Sequence, residues 1–351
     1  MAKLDNSSPG RVVILRALQL GDLLCALPAW RALRRALPQA HITLVGLPWA
    51  AGFVERFNAY LDSFIEFPGV PAFPEQPARL HLFPAFLAEV QQWEYDLALQ
   101  MQGSGLVSNT LVSLFGARES AGFFPAGFYP GGHCPDPDRY LQYPEGEPEI
   151  RRLLRLVEFL GFPSQGEALE FPLHREDWHS LNAALDEAGR RLPAGGYAVL
   201  HPGARSPERR WPVERFAAVG DGLARQGLQV VVTGSAAEAA LAAELAARMQ
   251  APALNLAGRT DLGALAALLG EARLLVSNDT GLSHLAAALR IPSLVLFCAS
   301  DPKRWAPLDQ DRHRPVLNAL QVSAAEVGAR ALALLDQVPP APSPRELLYA
   351  A

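Results

Sequence analysis

Residues 273–297 read RLLVSNDTGLSHLAAALRIPSLVLF, and their pattern is the most informative about the fold. The stretch contains an aliphatic run at Arg273–Ser277, a polar turn, an apolar helix at Leu282–Leu289 and a second aliphatic run at Ser293–Phe297. Short buried strands that are joined by a helix are typical of a parallel sheet with crossover connections. The stretch therefore predicts an α/β fold.

The same alternation extends through both halves of the chain. Because 351 residues exceed the size at which one hydrophobic core usually keeps growing, two domains are expected. We predict a Rossmann-like, doubly wound domain over residues 1–175, a second one over 176–335 and a tail over 336–351. The other predicted strands are Arg11–Leu18, His41–Leu47, Ser63–Phe67, Tyr95–Gln102, Tyr197–His201, Leu228–Thr233 and Ala253–Leu256, and the other predicted helices are Leu23–Leu37, Glu149–Leu160, Val213–Gln226, Ala236–Met249, Leu262–Leu269 and Ala324–Leu335.

Two segments depart from this alternation. Prolines and glycines are too dense in Phe123–Pro148 for regular structure, which predicts a long irregular loop. The segment from Phe162 to Gly196 has the character of a domain connection with one helix inside it. For the last helix, Ala324–Leu335, packing on the first domain stays open beside packing on the second.

The overall composition argues against several classes of function. A net charge of −5 disfavours a protein that wraps nucleic acid, because such a protein needs a broad cationic surface. The three cysteines are spaced singly, without the close pairs of a zinc or redox site. A polar start and the lack of a run of about 18 apolar residues predict a cytoplasmic protein. No metal ion or other cofactor is expected, and Asp136 and Asp138 are interpreted as part of a polar turn.

The turn inside residues 273–297 has the chemistry of an anion site. It follows a buried strand and leads directly into an apolar helix, whose first N–H groups and dipole attract negative charge. Gly281 lets a phosphate approach the main chain, and nearby side chains add donors. The alternative that Asp279 or Thr280 merely caps the helix stays open. The predicted donor-binding residues of this turn are Asp279, Thr280, Gly281, Leu282, Ser283 and His284.

Two further strand ends point to the same kind of ligand. The loop His201–Trp211, HPGARSPERRW, contains three arginines, and guanidinium groups suit phosphate oxygens. A solvated basic loop is the alternative, above all for Arg205. Since open α/β sheets bind ligands at the carboxyl ends of their strands, these ends predict one nucleotide-sized crevice. Its further donor-binding residues are predicted to be His201, Gly203, Ala204, Gly234 and Ser235.

The first domain places an acidic residue at the same edge of its own sheet. In Gln19-Leu20-Gly21-Asp22, which joins the first strand to the first helix, Asp22 is the candidate functional carboxylate. Its alternative role is a helix N-cap. The later segment Gly103-Ser104-Gly105 nearly matches a dinucleotide fingerprint but lacks the third glycine, so we interpret it as tight packing between strand and helix.

These segments, in this order, resemble glycosyltransferase family 9, whose best-known members are ADP-heptose:lipopolysaccharide heptosyltransferases. The resemblance runs nearly from end to end. It begins with ILRALQLGDLLCALPAWRALRRALP at residues 14–38, continues through HPGARSPERRW, and is most specific in the DTG turn and the histidine that follows it.

The resemblance implies a GT-B fold in which two Rossmann-like domains face each other across a cleft, with the acceptor bound mainly by the first domain and the nucleotide-sugar by the second. It implies that Asp22 is the general base of an inverting, metal-independent transfer. Arg209, where many members carry lysine, and the start of the helix at Thr280–His284 would stabilise the leaving diphosphate. Asp279 would orient the turn or bind a sugar hydroxyl, and adenine would lie near Gly234-Ser235 and Leu256–Thr260.

The resemblance also implies the partners. The donor is expected to be ADP-heptose, and the acceptor a saccharide or lipid-linked saccharide at the inner face of the cytoplasmic membrane. Arg31, Arg34 and Arg35 either attract such an anionic surface or form an ordinary solvated helix face. Two other functions stay open: a sugar-nucleotide epimerase or hydrolase of the same architecture, and a non-catalytic nucleotide-sugar-binding protein. Neither of these would need Asp22.

Overall fold

The computed structural model describes residues 9–127, 136–339 and 343–345. The chain forms two compact units that divide between Ala168 and Leu169. Each unit contains one sheet, and within the described residues each sheet has six parallel strands. The division falls a few residues before the predicted boundary at 175–176. The helix that begins at Arg175 packs against another helix of the second unit.

The first unit alternates strands and helices as the sequence predicts. Its sheet has the spatial order 3-2-1-4-5-6 when the strands are numbered along the chain. The strands are β1 Arg11–Leu15, β2 His41–Gly46, β3 Ser63–Glu66, β4 Leu97–Gln100, β5 Glu119–Phe124 and β6 Tyr140–Gln142, and the helices are α1 Leu20–Ala36, α2 Ala50–Arg56, α3 Phe83–Gln92, α4 Ser108–Ser113 and α5 Glu149–Phe159.

The second unit repeats this strand order. Numbered from its own first strand, its sheet again runs 3-2-1-4-5-6. The strands are β7 Tyr197–His201, β8 Gln229–Val232, β9 Ala253–Asn255, β10 Leu274–Asn278, β11 Ser293–Leu296 and β12 His313–Val316, and the helices are α6 Arg175–Glu187, α7 Val213–Arg225, α8 Ala239–Arg248, α9 Leu262–Gly270, α10 Gly281–Ala288, α11 Pro302–Trp305 and α12 Ala324–Gln337.

The order of the strands fixes where each sheet can bind a ligand. The winding direction reverses between β1 and β4 in the first unit and between β7 and β10 in the second. Ligands of doubly wound sheets bind outside the carboxyl ends of the strands at such a switch point. The segments that follow these four strands are therefore the ones that bear on function.

The central strands are apolar because helices cover both faces of each sheet. Every residue of Val12–Leu15 and of Leu274–Asn278 is fully buried. Burying one such aliphatic side chain contributes about 1.5–3 kcal/mol. The last helix adds Val327, Ala331 and Leu334 to the second core, where it packs against α7. The apolar face of this last helix is thus covered within the second unit. The alternative that it packs on the first domain is not needed to account for that face.

Three local predictions need correction. The segment Phe123–Pro148 is not wholly irregular, because Tyr140–Gln142 pairs with β5 at the edge of the sheet; residues 128–135 of that segment lie outside the described residues. The helix predicted at Ala236–Met249 is broken near its start, where Ser235 and Glu238 cap a 3-10 turn before α8. The last helix extends into the predicted tail, to Gln337.

The glycines of the near-fingerprint segment have a packing role. Gly105 has φ +92°, and a Cβ there would lie 2.2 Å from the carbonyl oxygen of Phe123 in β5. The amide of Asn109 donates to that same carbonyl oxygen at 2.9 Å. Gly103 has φ +62° with open space around its Cβ position. The close approach of the turn to β5 therefore requires glycine at 105 and only favours it at 103.

We expect Gly105→Ala to lower the free energy of unfolding by about 3 kcal/mol, because a left-handed backbone and an overpacked contact both cost energy. Gly103→Ala, the matched control, should lose about 1 kcal/mol, since it meets only the backbone penalty. Urea denaturation of the two variants measures both values. Equal losses at the two positions would contradict the packing role of Gly105.

Candidate functional site

The amide of Asn278 joins the two loops at the switch point of the second sheet. Asn278 is fully buried at the end of β10. Its Nδ2 donates to the carbonyl oxygens of Pro202 at 2.8 Å and Gly203 at 3.2 Å, and its Oδ1 accepts from the backbone N–H of Trp211 at 2.9 Å. Sequence analysis missed this residue, although a second polar residue, after Ser277, at the carboxyl end of a strand that begins with three aliphatic residues was the available signal.

The turn after Asn278 caps α10. Thr280 is the N-cap, and its Oγ1 accepts from the N–H of Leu282 at 3.4 Å. Ser283 is fully buried, and its hydroxyl donates to the carbonyl oxygen of Thr280 at 2.8 Å. Only Thr280 and Gly281 of the first turn reach the surface. The capping alternative thus holds for Thr280, and the hydroxyl proton of Ser283 is used inside the turn.

Arg209 lies beside this turn. Its Nη2 donates to the carbonyl oxygen of Asp279 at 2.5 Å and to the carboxylate Oδ2 at 2.7 Å. The Asp279 side chain is 3% exposed, whereas the Arg209 side chain is 34% exposed. A carboxylate that is this buried needs a charged partner. The pair therefore holds a guanidinium group next to the N-terminus of α10. The sequence predicts that Arg209 and this helix start act together on the leaving diphosphate.

A second buried pair lies across β7 and β8. The Nδ1 of His201 lies 3.2 Å from the Oγ1 of Thr233. Burial lowers the pKa of His201, although the charge of Glu238 opposes this. Burial by itself would raise the pKa of Glu238, but hydrogen bonds from the N–H and the hydroxyl of Ser235 lower it below its ordinary value. At neutral pH the side chain of His201 is thus a neutral imidazole, and that of Glu238 is a carboxylate.

Gly203 makes room for that carboxylate. A Cβ at Gly203 would lie 2.1 Å from the Oε1 of Glu238. The Glu238 side chain cannot simply swing away, because its Oε2 accepts from both the N–H and the hydroxyl of Ser235 at 2.8 Å. Sequence analysis named Gly203 and Ser235 but missed Glu238. The spacing Ser235-x-x-Glu238, which is that of a capping box, was the signal for it.

The turns that follow β8 and β9 lie side by side. The N–H of Gly258 donates to the carbonyl oxygen of Gly234 at 2.9 Å, so Leu256–Thr260 lies beside Gly234-Ser235.

The other two arginines of the loop His201–Trp211 differ in role. Arg210 donates through Nε to the carbonyl oxygen of Ala204 at 2.9 Å, and Arg205 is exposed.

In the first unit Asp22 is part of the cap of α1, but it is not the N-cap residue that the sequence analysis gave as its alternative role. The N-cap residue is Gln19, and Asp22 is the third helical residue. Its Oδ2 accepts from the N–H of Gln19 at 3.2 Å. The side chain is half-buried at the carboxyl end of β1, beside the switch point of that sheet.

Comparison with known proteins identifies the family. A sequence model described as glycosyltransferase family 9 (heptosyltransferase) matches residues 85–327. The chain belongs to glycosyltransferase family 9. The predicted resemblance is thereby confirmed.

Similar proteins of this family cover different shares of the chain. Lipopolysaccharide heptosyltransferase 3 of Escherichia coli K12 is 32% identical over 161 residues, 45% of this chain and 46% of that protein. The chain thus spans about half the length of that relative. Lipopolysaccharide heptosyltransferase 1 of Pseudomonas aeruginosa is 27% identical over 319 residues, 83% of this chain and 79% of that protein. The solved structure of E. coli ADP-heptose lps heptosyltransferase II has TM-score 0.73 at 22% identity, covering 93% and 99%. The predicted α/β fold of GT-B type is confirmed.

Other predicted features of this family 9 chain have structural roles. Arg34 forms an ion pair with Asp62 and donates to the carbonyl oxygen of Ala40 at 2.6 Å. Arg31 donates to the carbonyl oxygen of Ala168 at 2.8 Å, and Arg35 is exposed. Two of the three clustered arginines thus bind main-chain groups of their own unit.

The acidic turn at Asp136 is structural, as interpreted from the sequence. The Oδ1 of Asp136 accepts from the N–H of Asp138 at 2.9 Å. Among residues 9–127, 136–339 and 343–345, no cluster of three His, Cys, Asp or Glu side chains could hold a metal ion. Over the same residues, no helix combines the length and apolar character needed to cross a bilayer.

In α10, the ring of His284 packs edge-on against Trp305 with the ring centroids 6.3 Å apart, and it lies near a second buried histidine, His313. Burial lowers the pKa of His313 to about 4, and the charge of Asp309 opposes this. The Nδ1 of His313 lies 2.9 Å from the Oγ of Ser293, so the neutral ring has a hydrogen-bond partner. Protonation of His313 is therefore disfavoured in the folded state.

This gives stability a defined pH dependence. An unfolded histidine has a pKa of about 6.5, so the contribution of neutral His313 is complete above that pH and is lost as the pH falls toward about 4. Between pH 7 and pH 4.5 it should decline by about 2 kcal/mol. His313→Gln should lack this component when urea denaturation is compared at the two pH values. An unchanged pH dependence in the variant would rule out the assignment to His313.

Proposed function

We propose that this chain transfers heptose from ADP-heptose to a hydroxyl group of a lipopolysaccharide-core or related saccharide, with inversion and without a metal ion. The observation that carries the proposal is the Arg209–Asp279 pair beside the N-terminus of α10, at the switch point of the second sheet. The names of the relatives, which are lipopolysaccharide heptosyltransferases, support the sugar and the acceptor class. The name of the E. coli structure supports the donor.

The donor diphosphate would bind at Thr280–Gly281 and Arg209. Helix N–H groups and the helix dipole favour an anion at this position. Asp279 pairs with Arg209 and holds the guanidinium in place, so the phosphate would meet a donor that needs little reorganisation. Because the Arg209 side chain keeps a third of its surface exposed, it is accessible to a ligand.

The base would lie against the edge formed by Gly234, Ser235 and Leu256–Thr260. Gly234 and Gly258 bring two main-chain segments together there. The N–H of Gly258 donates to the carbonyl oxygen of Gly234 at 2.9 Å, and a Cβ at Gly258 would lie 3.0 Å from the Cα of Ala236. Glycine is thus needed for the close approach of these segments, whose main-chain groups form the edge. This edge lies on the β8 side of the switch point.

In the transfer itself, the carboxylate of Asp22 would accept the proton of the acceptor hydroxyl. The hydroxyl oxygen attacks the anomeric carbon from the face opposite the diphosphate, and the bond from that carbon to the phosphate oxygen breaks as the new bond forms. The departing ADP keeps the electron pair, and Arg209 and the N–H groups of α10 stabilise its charge. The acidic and cationic groups thus have separate tasks.

Nucleotide binding tests the donor site. ADP and ADP-heptose should raise the melting temperature, whereas GDP and UDP should do so less at equal concentration. At a hundredfold excess over Kd, binding to the folded state alone adds about 2.7 kcal/mol. Arg209→Ala should abolish most of the shift, while the exposed Arg205→Ala serves as control and should keep it. Equal shifts for all nucleotides, or none for ADP, would refute the ADP-specific site.

Substitution of the carboxylate tests the chemistry. Asp22→Asn should lower kcat about 10²–10⁴-fold with ADP-heptose as donor and a deacylated lipopolysaccharide core saccharide as acceptor, because an amide cannot accept the proton. The amide oxygen can still accept from the N–H of Gln19, so the fold and the ADP-induced thermal shift should remain. Asp138→Asn, an exposed carboxylate of the same unit, should leave kcat unchanged. Full transferase activity of Asp22→Asn would show that Asp22 is not the base.

A further inference from the structure

We propose that Arg16 is the positioning residue of the Asp22 turn, and that its buried guanidinium group determines where the Asp22 carboxylate lies. The inference rests on the proposed role of Asp22 as the base. Arg16 follows β1 directly and is fully buried, which is unusual for arginine. Neither the sequence pattern nor the proposed donor site accounts for it.

The contacts of Arg16 converge on the main chain of Asp22. Its Nε and Nη2 donate to the carbonyl oxygen of Asp22 at 3.0 and 2.8 Å. Its Nη1 donates to the carbonyl oxygen of Met101, directly after β4, at 2.5 Å. One rigid planar group therefore connects the Asp22 turn to the ends of both strands at the switch point of the first sheet.

Asp22 is thus held from two sides. Arg16 holds its main-chain carbonyl, and the N–H of Gln19 holds its carboxylate oxygen Oδ2. With one fixed point on the main chain and one on the carboxylate, the short Asp22 side chain has little rotational freedom. A base within hydrogen-bond reach of the acceptor hydroxyl needs such a fixed position, since misplacement by about 1 Å can cost about 10²-fold in rate.

The charge of Arg16 is balanced by a buried network. Its Nη2 lies 3.1 Å from the Oε1 of Glu149, the first residue of α5, whose Oε2 accepts from Arg152 at 2.6 Å. Arg152 also donates to the hydroxyl of Tyr143 at 2.8 Å and lies 4.4 Å over its ring. Two arginines thus share one glutamate, in a buried network that holds the guanidinium group of Arg16 in place.

A buried arginine that binds carbonyl oxygens could instead serve stability alone, and Arg34 provides the matched control. It lies near the other end of α1 and donates to the carbonyl oxygens of Ala40 and Tyr60 at 2.6 and 3.1 Å. Arg34→Met removes a comparable set of contacts far along the helix from Asp22. A purely structural role predicts that Arg16→Met and Arg34→Met behave alike.

The test compares Arg16→Met, Arg16→Lys and Arg34→Met as full-length folded protein. With ADP-heptose and a deacylated lipopolysaccharide core saccharide, kcat per folded molecule should fall about 10²-fold in Arg16→Met. Arg16→Lys keeps the charge but not the fork geometry, so it should recover part of that loss. Arg34→Met should keep its kcat, and the KM for ADP-heptose should be unchanged in all three. Equal kcat in Arg16→Met and Arg34→Met would overturn the proposal.

Hydrogen exchange supplies a readout that does not depend on turnover. Loss of the clamp should raise exchange about tenfold in a peptide covering residues 17–26 of Arg16→Lys, with no change over 30–37. Unchanged exchange at 17–26 would overturn the positioning role. If Asp22→Asn stays fully active while the Arg16 variants show this local loosening, the proposed base is wrong although the clamp exists. The failures of the two proposals are thus distinguishable.

Discussion

The second unit depends on the three hydrogen bonds of the Asn278 amide. They close the space between the loop after β7 and the turn after β10, at the one place where the sheet reverses its winding. All the groups involved are buried, so each would cost about 1–3 kcal/mol if left without its partner. Because the amide connects both loops, Arg209 in one loop can lie against Asp279 in the other. The candidate anion site follows from that bridge.

The two units share one strand order but expose side chains of opposite charge at their switch points. Both sheets have the same strand order, and in both an arginine binds the main-chain carbonyl of an aspartate at the start of a helix. In the first unit Arg16 is buried and the half-exposed group is Asp22. In the second unit Asp279 is buried and the accessible group is Arg209. In each unit the buried partner holds the accessible one in place. The accessible group is therefore the acid Asp22 in the first unit and the cation Arg209 in the second.

Much of the fold could be predicted because it is set by local apolar patterning. Strand β7 has the predicted bounds, and the neighbouring elements differ mostly at their ends. Helix α1 begins earlier than predicted because Gln19 and Asp22 cap it, which apolar spacing does not reveal. The short edge strand β6 was missed because three residues give too little pattern, and its pairing with β5 is what makes it a strand.

The alternation of strands and helices, the family, and the two turns that carry Asp22 and Asp279 could be predicted from the sequence alone, because each is encoded in residues close along the chain. Tertiary structure decided which of three neighbouring arginines meets Asp279, that Glu238 lies against Gly203, and that Arg16 clamps the Asp22 turn. Several of the contacts concerned join residues that are distant in sequence, as Arg209 and Asp279 are. Their geometry depends on how strands stack in the sheet, and hydrophobic spacing along the chain does not carry that information.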